Sequence, residues 1–144
     1  MAKQRIEITQ TFPFSVDRLF AYLSDHENLS VIFPAKIKRV RDGVNGVNGV
    51  GSVRRLTLPG GLVSLEETVT KLEANKTIEY TITKGGWPLN DHLGVMRFSA
   101  DGSGSRLDYT IDLGSAVPGA AALMKHALGT PIRQGLQKLA KRGL

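Results

Sequence analysis

The sequence predicts an α+β fold: seven strands form an antiparallel sheet that curls around one long C-terminal helix, with two short helices after the first strand. Three observations carry this reading. Almost everything between Lys36 and Gly114 reads as strand, with alternating apolar and polar residues. The connections between these runs are short and rich in Gly, Pro, Asn and Asp, as an antiparallel meander requires. Helical periodicity lasting more than three turns occurs only from Pro118 onward, where Leu128, Ile132, Leu136 and Leu139 share one face. An amphipathic helix that follows a run of strands needs the sheet to bury that face.

In chain order, Ile6, Ile8, Gln10 and Phe12 alternate with Arg5, Glu7, Thr9 and Thr11, a half-buried first strand that Pro13 ends. Ser15 can cap a helix over Val16–Leu23, whose Val16, Leu19, Phe20 and Leu23 lie on one side. Asp25-His26-Glu27-Asn28 reads as a polar break that leaves His26 in solvent. Asn28 or Ser30 then starts a second short helix, which Pro34 stops. Six strands follow, at Ile37–Val40, Ser52–Leu58, Leu62–Leu72, Thr77–Lys84, Asn90–Ser99 and Arg106–Leu113. The glycines of Gly43–Gly51 make a turn region and not a phosphate loop, because neither Gly-Lys-Ser/Thr nor a helix follows them. Pro131 removes one helical hydrogen bond, so a kink or restart is expected at Thr130-Pro131. No linker and no repeat beyond a duplicated Val-Asn-Gly appears, so residues 1–144 read as one domain.

Composition excludes several functions. The chain has no cysteine, which removes disulfides, Cys-ligated zinc and thiol catalysis. The three histidines, His26, His92 and His126, show no ligand spacing, so neither a metal nor another cofactor is expected. No Gly-x-Ser-x-Gly elbow occurs. Net charge is +6, with small basic clusters at Lys36-Lys38-Arg39-Arg41, Arg54-Arg55 and Lys138-Lys141-Arg142. Only Phe33 borders the first cluster, whereas single-stranded nucleic acid calls for interleaved aromatics, so nucleic acid is disfavoured as a partner. The N-terminus lacks the apolar run of a secretion signal, and no segment approaches the ~18 apolar residues of a membrane span. A cytoplasmic protein without integral membrane association is the expectation.

The stretches Phe14–Phe20, Gly49–Arg54, Trp87–Leu89 and Gly135–Leu139, in this order, resemble motifs of the START-like helix-grip superfamily, and within it the bacterial polyketide cyclase/dehydrase and lipid-transport group. Phe14-Ser15-Val16-Asp17-Arg18-Leu19-Phe20 is similar to that family's opening into its first helix. Gly49-Val50-Gly51-Ser52-Val53-Arg54 is similar to the start of a strand in the family. Trp87-Pro88-Leu89, followed by Gly94 and Phe98, resembles its Pro-Leu-Pro strand, with Asn90 in place of the second proline. Gly135-Leu136-Gln137-Lys138-Leu139 resembles the end of its last helix. The resemblance implies a sheet wrapped round the C-terminal helix and enclosing a mostly apolar cavity. It also implies a small hydrophobic partner such as a lipid, quinone or polyketide, with catalysis in only a minority of members.

Strand alternation indicates which side chains face inward. Ile78, Tyr80 and Ile82 share a face, as do Leu107, Tyr109, Ile111 and Leu113, and as do His92, Gly94, Met96 and Phe98. If Pro59-Gly60-Gly61 closes a symmetrical turn, Arg54 sits opposite Glu66 and Glu67 shares a face with Val63, Leu65 and Val69. A slip of one residue exchanges the two glutamates. Such a pair either stabilises a strand rim or lies in the cavity and orients a ligand. The expected ligand-contacting set is Arg54, Glu67, Tyr80, Trp87, His92, Tyr109, Met124 and Leu128. Trp87 serves as a core plug or as a lid, and the helix break at Gly129-Thr130-Pro131 is a candidate gate. Ala120, Ala121, Ala122 and Ala127 would leave room for the ligand. Glu67 and His92 are the candidate acid–base residues should the chain be an enzyme, a cofactor-independent cyclase or dehydratase. The leading expectation is binding of a hydrophobic molecule, for transport or sequestration. The rivals are that enzyme and a protein- or RNA-interaction module using the basic surface.

Overall fold

The computed structural model describes residues 3–144 of the chain. Strand β1 (Gln4–Phe12) is followed by helix α1 (Val16–Ser24) and a short 3-10 helix (His26–Val31). Then come β2 (Lys36–Arg41), β3 (Val53–Thr57), β4 (Ser64–Glu73), β5 (Thr77–Gly85), β6 (Leu89–Asp101) and β7 (Gly104–Ser115), and finally helix α2 (Ala120–Arg142). The seven strands form one antiparallel sheet in the order β1-β7-β6-β5-β4-β3-β2. The predicted α+β helix-grip architecture is therefore the one observed.

The core lies between the inner face of the sheet and the helices. The alternation read from the sequence holds: Ile6, Ile8 and Phe12 of β1, Ile78 and Tyr80 of β5, Met96 and Phe98 of β6, and Leu107, Tyr109, Ile111 and Leu113 of β7 are all buried. Ile132, Leu136 and Leu139 of α2 face them with no exposed surface. Each such side chain contributes roughly 1.5–3 kcal/mol through burial. Gly135 brings α2 close to the 3-10 helix, since a Cβ there would fall 2.7 Å from the Ile32 Cα. Arg142 at the end of α2 donates to the Tyr22 hydroxyl at 2.9 Å and ties α2 to α1.

Three local expectations are corrected. α2 runs without a break through Pro131. The carbonyl that proline leaves unpaired belongs to Ala127, an exposed residue, so water can satisfy it and no restart is required. That exposure also takes Ala127 out of the cavity. The second short helix starts at His26 and not at Asn28, because Asp25 caps it by accepting the Glu27 amide at 3.0 Å. His26 consequently turns inward and is wholly buried, where the polar break suggested solvent.

Candidate functional site

The β3–β4 hairpin decides the site. Its turn is longer than a symmetrical closure on Pro59-Gly60-Gly61: the Leu58 amide donates to the Val63 carbonyl, so Leu58 pairs with Val63 and not with Leu62. The register therefore slips by one, with Arg54 opposite Glu67 and Arg55 opposite Glu66. Because side chains alternate between faces, the slip sends one Arg–Glu pair to each side of the sheet. Arg55 and Glu66 bond at 2.9 Å on the outer face. Arg54 and Glu67 lie inside, 2 % and 5 % exposed, with Arg54 Nε donating to Glu67 Oε1 at 2.9 Å.

A group of polar side chains surrounds this buried pair. The Arg54 guanidinium sits over the Tyr80 ring, 4.4 Å from its centroid, a cation–π contact strengthened by the lack of water. The Tyr80 and Tyr109 hydroxyls hydrogen-bond to each other. Burial holds both phenol pKa values well above their ordinary range, so both stay neutral. Gly94, opposite Tyr80 on β6, makes room for that ring, since any Cβ at position 94 would fall inside it.

His92 is placed by a local irregularity. Pairing between β5 and β6 runs from Thr77–Arg97 to Tyr80–Gly94 and stops there. The β6–β7 register shifts between Asn90 and Leu93, and Asp91 adopts a positive φ of 51°, as in a β-bulge that re-aims its neighbours. Where the strands part, the Ile82 amide loses a backbone partner and donates to His92 Nδ1 at 3.1 Å instead. Thr81 Oγ1 donates to the His92 carbonyl at 2.6 Å and holds the same segment from the other side. A ring nitrogen that accepts an amide proton carries none itself, so neutral His92 bears its proton on Nε2. Burial lowers the His92 pKa; the Glu67 carboxylate opposes that effect and Arg54 adds to it. His92 Nε2 lies 3.8 Å from Glu67 Oε2.

These groups end a hollow between sheet and α2 whose wall is otherwise apolar. Phe33, Leu56, Leu58, Leu65, Ile82, Leu89, Ile111, Leu113, Met124 and Leu128 line it, with Glu67, Tyr80 and His92 at the polar end. Its volume is ≈ 60 Å³, room for only a few waters. A broader groove of ≈ 460 Å³ lies outside, between β1 and α2, lined by Arg5, Glu7, Lys125, His126, Thr130 and Arg133. Several of these residues are exposed, and charges in water bind weakly, so the internal hollow is the stronger candidate despite its size.

Of the eight residues expected to contact a ligand, Glu67, Tyr80, His92, Met124 and Leu128 line the hollow. Arg54 and Tyr109 stand behind that wall, holding Glu67 and Tyr80 in place. Trp87 is 85 % exposed and neither plugs the core nor lines the hollow, because its loop turns outward at the end of the sheet. His126 is exposed as well.

A second buried group was not expected. His26 Nε2 lies 3.0 Å from Ser52 Oγ, both residues being fully buried, and the Asn48 side chain accepts from the His26 amide and from Arg39. The spacing resembles a serine–base pair, yet no group orients the ring, since His26 Nδ1 has no partner among the described residues. Burial, with Arg54 and Arg39 nearby, lowers the His26 pKa to about 3. Its only sequence signal was the adjacent Asp25 cap. Among the described residues, no group of His, Asp and Glu is arranged to hold a metal ion, and no helix is long and apolar enough to cross a membrane.

Solved structures share this fold at low identity. The Zhui aromatase/cyclase from a Streptomyces species is 18 % identical, with a TM-score of 0.76 over 98 % of this chain and 95 % of that one. Norcoclaurine synthase from Thalictrum flavum, solved in complex with dopamine and hydroxybenzaldehyde, is 12 % identical, with a TM-score of 0.72 over 99 % and 89 %. Protein XoxI from Bacillus cereus is 16 % identical, with a TM-score of 0.71 over 98 % and 96 %. No curated protein sequence matches the chain. Residues 3–143 match the profile of the family described as polyketide cyclase / dehydrase and lipid transport, and the chain belongs to that family.

Proposed function

We propose that the protein binds a small hydrophobic molecule in the hollow between the sheet and α2, for transport or sequestration, with the ligand's polar end toward Glu67 and His92. One observation carries this: an almost wholly apolar hollow ends on buried polar groups that packing alone does not require. Binding sites for small molecules combine an apolar wall with a few placed polar groups in this way, although they typically span ~300–1,000 Å³. A ligand larger than a few atoms therefore enters by displacing wall side chains. Met124, with its three rotatable bonds, is the most adaptable of them.

Titration with lipids, quinones and aromatic polyketides, followed by amide shifts in β5 and α2, is expected to give saturable binding. Trp87 fluorescence is a poor reporter, because the ring lies in solvent. Met124→Trp fills the hollow and is expected to weaken binding at least tenfold while costing the fold about 1–3 kcal/mol. Unchanged affinity in Met124→Trp would place the ligand elsewhere.

A second reading rests on the 3.8 Å approach of His92 Nε2 to Glu67 Oε2. In a cyclase or dehydratase, Glu67 would accept a proton from a β-keto substrate and the His92 N–H would polarise its oxygen. Glu67→Gln is then expected to abolish turnover and leave binding within a few-fold. Turnover that survives the substitution removes Glu67 from the chemistry.

A further inference from the structure

The two cavity-facing polar atoms differ in kind. Glu67 Oε1 is occupied by Arg54 Nε, so Oε2 is the acceptor left over. His92 Nδ1 is occupied by the Ile82 amide, so Nε2–H is the donor left over. The two atoms are 3.8 Å apart, too far for a direct hydrogen bond. Among the described residues neither has another hydrogen-bond partner, and both residues line the hollow.

We propose that the cavity selects ligands with a hydroxyl group at the buried end (an alcohol, an enol or a phenol), which donates to Glu67 Oε2 and accepts from His92 Nε2–H. A carbonyl satisfies His92 but sets its lone pairs against the carboxylate. An ammonium satisfies Glu67 but meets the His92 N–H with another donor. A hydroxyl is donor and acceptor in one atom and reproduces the bonds a bridging water would make there. Discrimination follows from burial: a ligand lacking the hydroxyl leaves both protein atoms unpaired in a nearly dry site. This proposal rests on the cavity being the ligand site.

Matched small probes test it on the unaltered chain. Phenol and toluene have the same shape and heavy-atom count and differ only in hydroxyl against methyl, while benzaldehyde carries an acceptor alone. A merely apolar hollow prefers toluene, because phenol gives up its hydrogen bonds to water on entering. We expect phenol to bind at least tenfold more tightly than toluene or benzaldehyde, with its largest shift at the Ile82 amide that reports on His92. His92→Phe is expected to reverse the preference toward toluene. Saturable binding of toluene as tight as that of phenol overturns the hydroxyl assignment while leaving the cavity as a ligand site. Saturation by none of the probes overturns both. The comparison on the unaltered chain decides between these outcomes even if a variant fails to fold.

Discussion

Glu67→Ala is expected to destabilise the fold by about 3–5 kcal/mol, the cost of leaving a buried charge without its partner. Arg54 is 2 % exposed, and among the described residues its Nη2 lacks a hydrogen-bond partner and Glu67 is its only ion-pair partner. Without the carboxylate, the guanidinium keeps little beyond the face of Tyr80. Arg54→Met combined with Glu67→Leu is expected to come out near neutral or stabilising, because the double replacement removes the desolvation cost of both ions. Urea denaturation of the two variants measures the difference. A loss below about 1 kcal/mol in Glu67→Ala would mean that water reaches the pair and that it behaves as a surface ion pair does. By contrast, the exposed pair of Arg106 and Asp108 is screened by water and should add little to stability.

Stability is expected to fall steeply as pH drops below about 6.5. His26 is neutral in the folded protein because burial, then Arg54 and Arg39, lower its pKa to about 3, with only Asp25 opposing them. In the unfolded chain it titrates near 6.5. The folded pKa is thus the depressed one. Below 6.5 the unfolded state takes up a proton the folded state refuses, and stability is lost at up to about 1.4 kcal/mol per pH unit until about pH 3. Over that window the loss is on the order of 5 kcal/mol. His92, whose pKa burial also lowers, adds in the same direction. His26→Gln removes the titrating ring and is expected to flatten the curve by about one proton. Equal slopes for the two proteins would show that acid acts through other groups.

The elements that were legible in the sequence are those set by local periodicity. The alternation in β1, β5 and β7 assigns their buried faces because successive strand residues point to opposite sides. The spacing of Ile132, Leu136 and Leu139 assigns the buried face of α2 in the same way. The order and spacing of the motifs then pointed to the family that the whole-chain match shows.

What the sequence could not decide depends on long-range geometry. Which glutamate pairs with Arg54 follows from one extra residue in the β3–β4 turn, and a period-two pattern cannot count residues in a turn whose hydrogen bonds are unknown. The inward aim of His92 and its tautomer depend on the place where β5 and β6 part and expose the Ile82 amide. The loop around Trp87 left a core plug and a lid as equal readings, and only the structure shows that the ring lies in solvent. Burial of His26 needed a cap at Asp25 and a partner at Ser52, twenty-six residues away. Local pattern by itself thus determined the sheet, the C-terminal helix and their apolar contact, because each follows from neighbours within a turn or two. Tertiary structure alone decided which two polar atoms face the cavity, because turn length, a bulge and strand separation set the direction of single side chains.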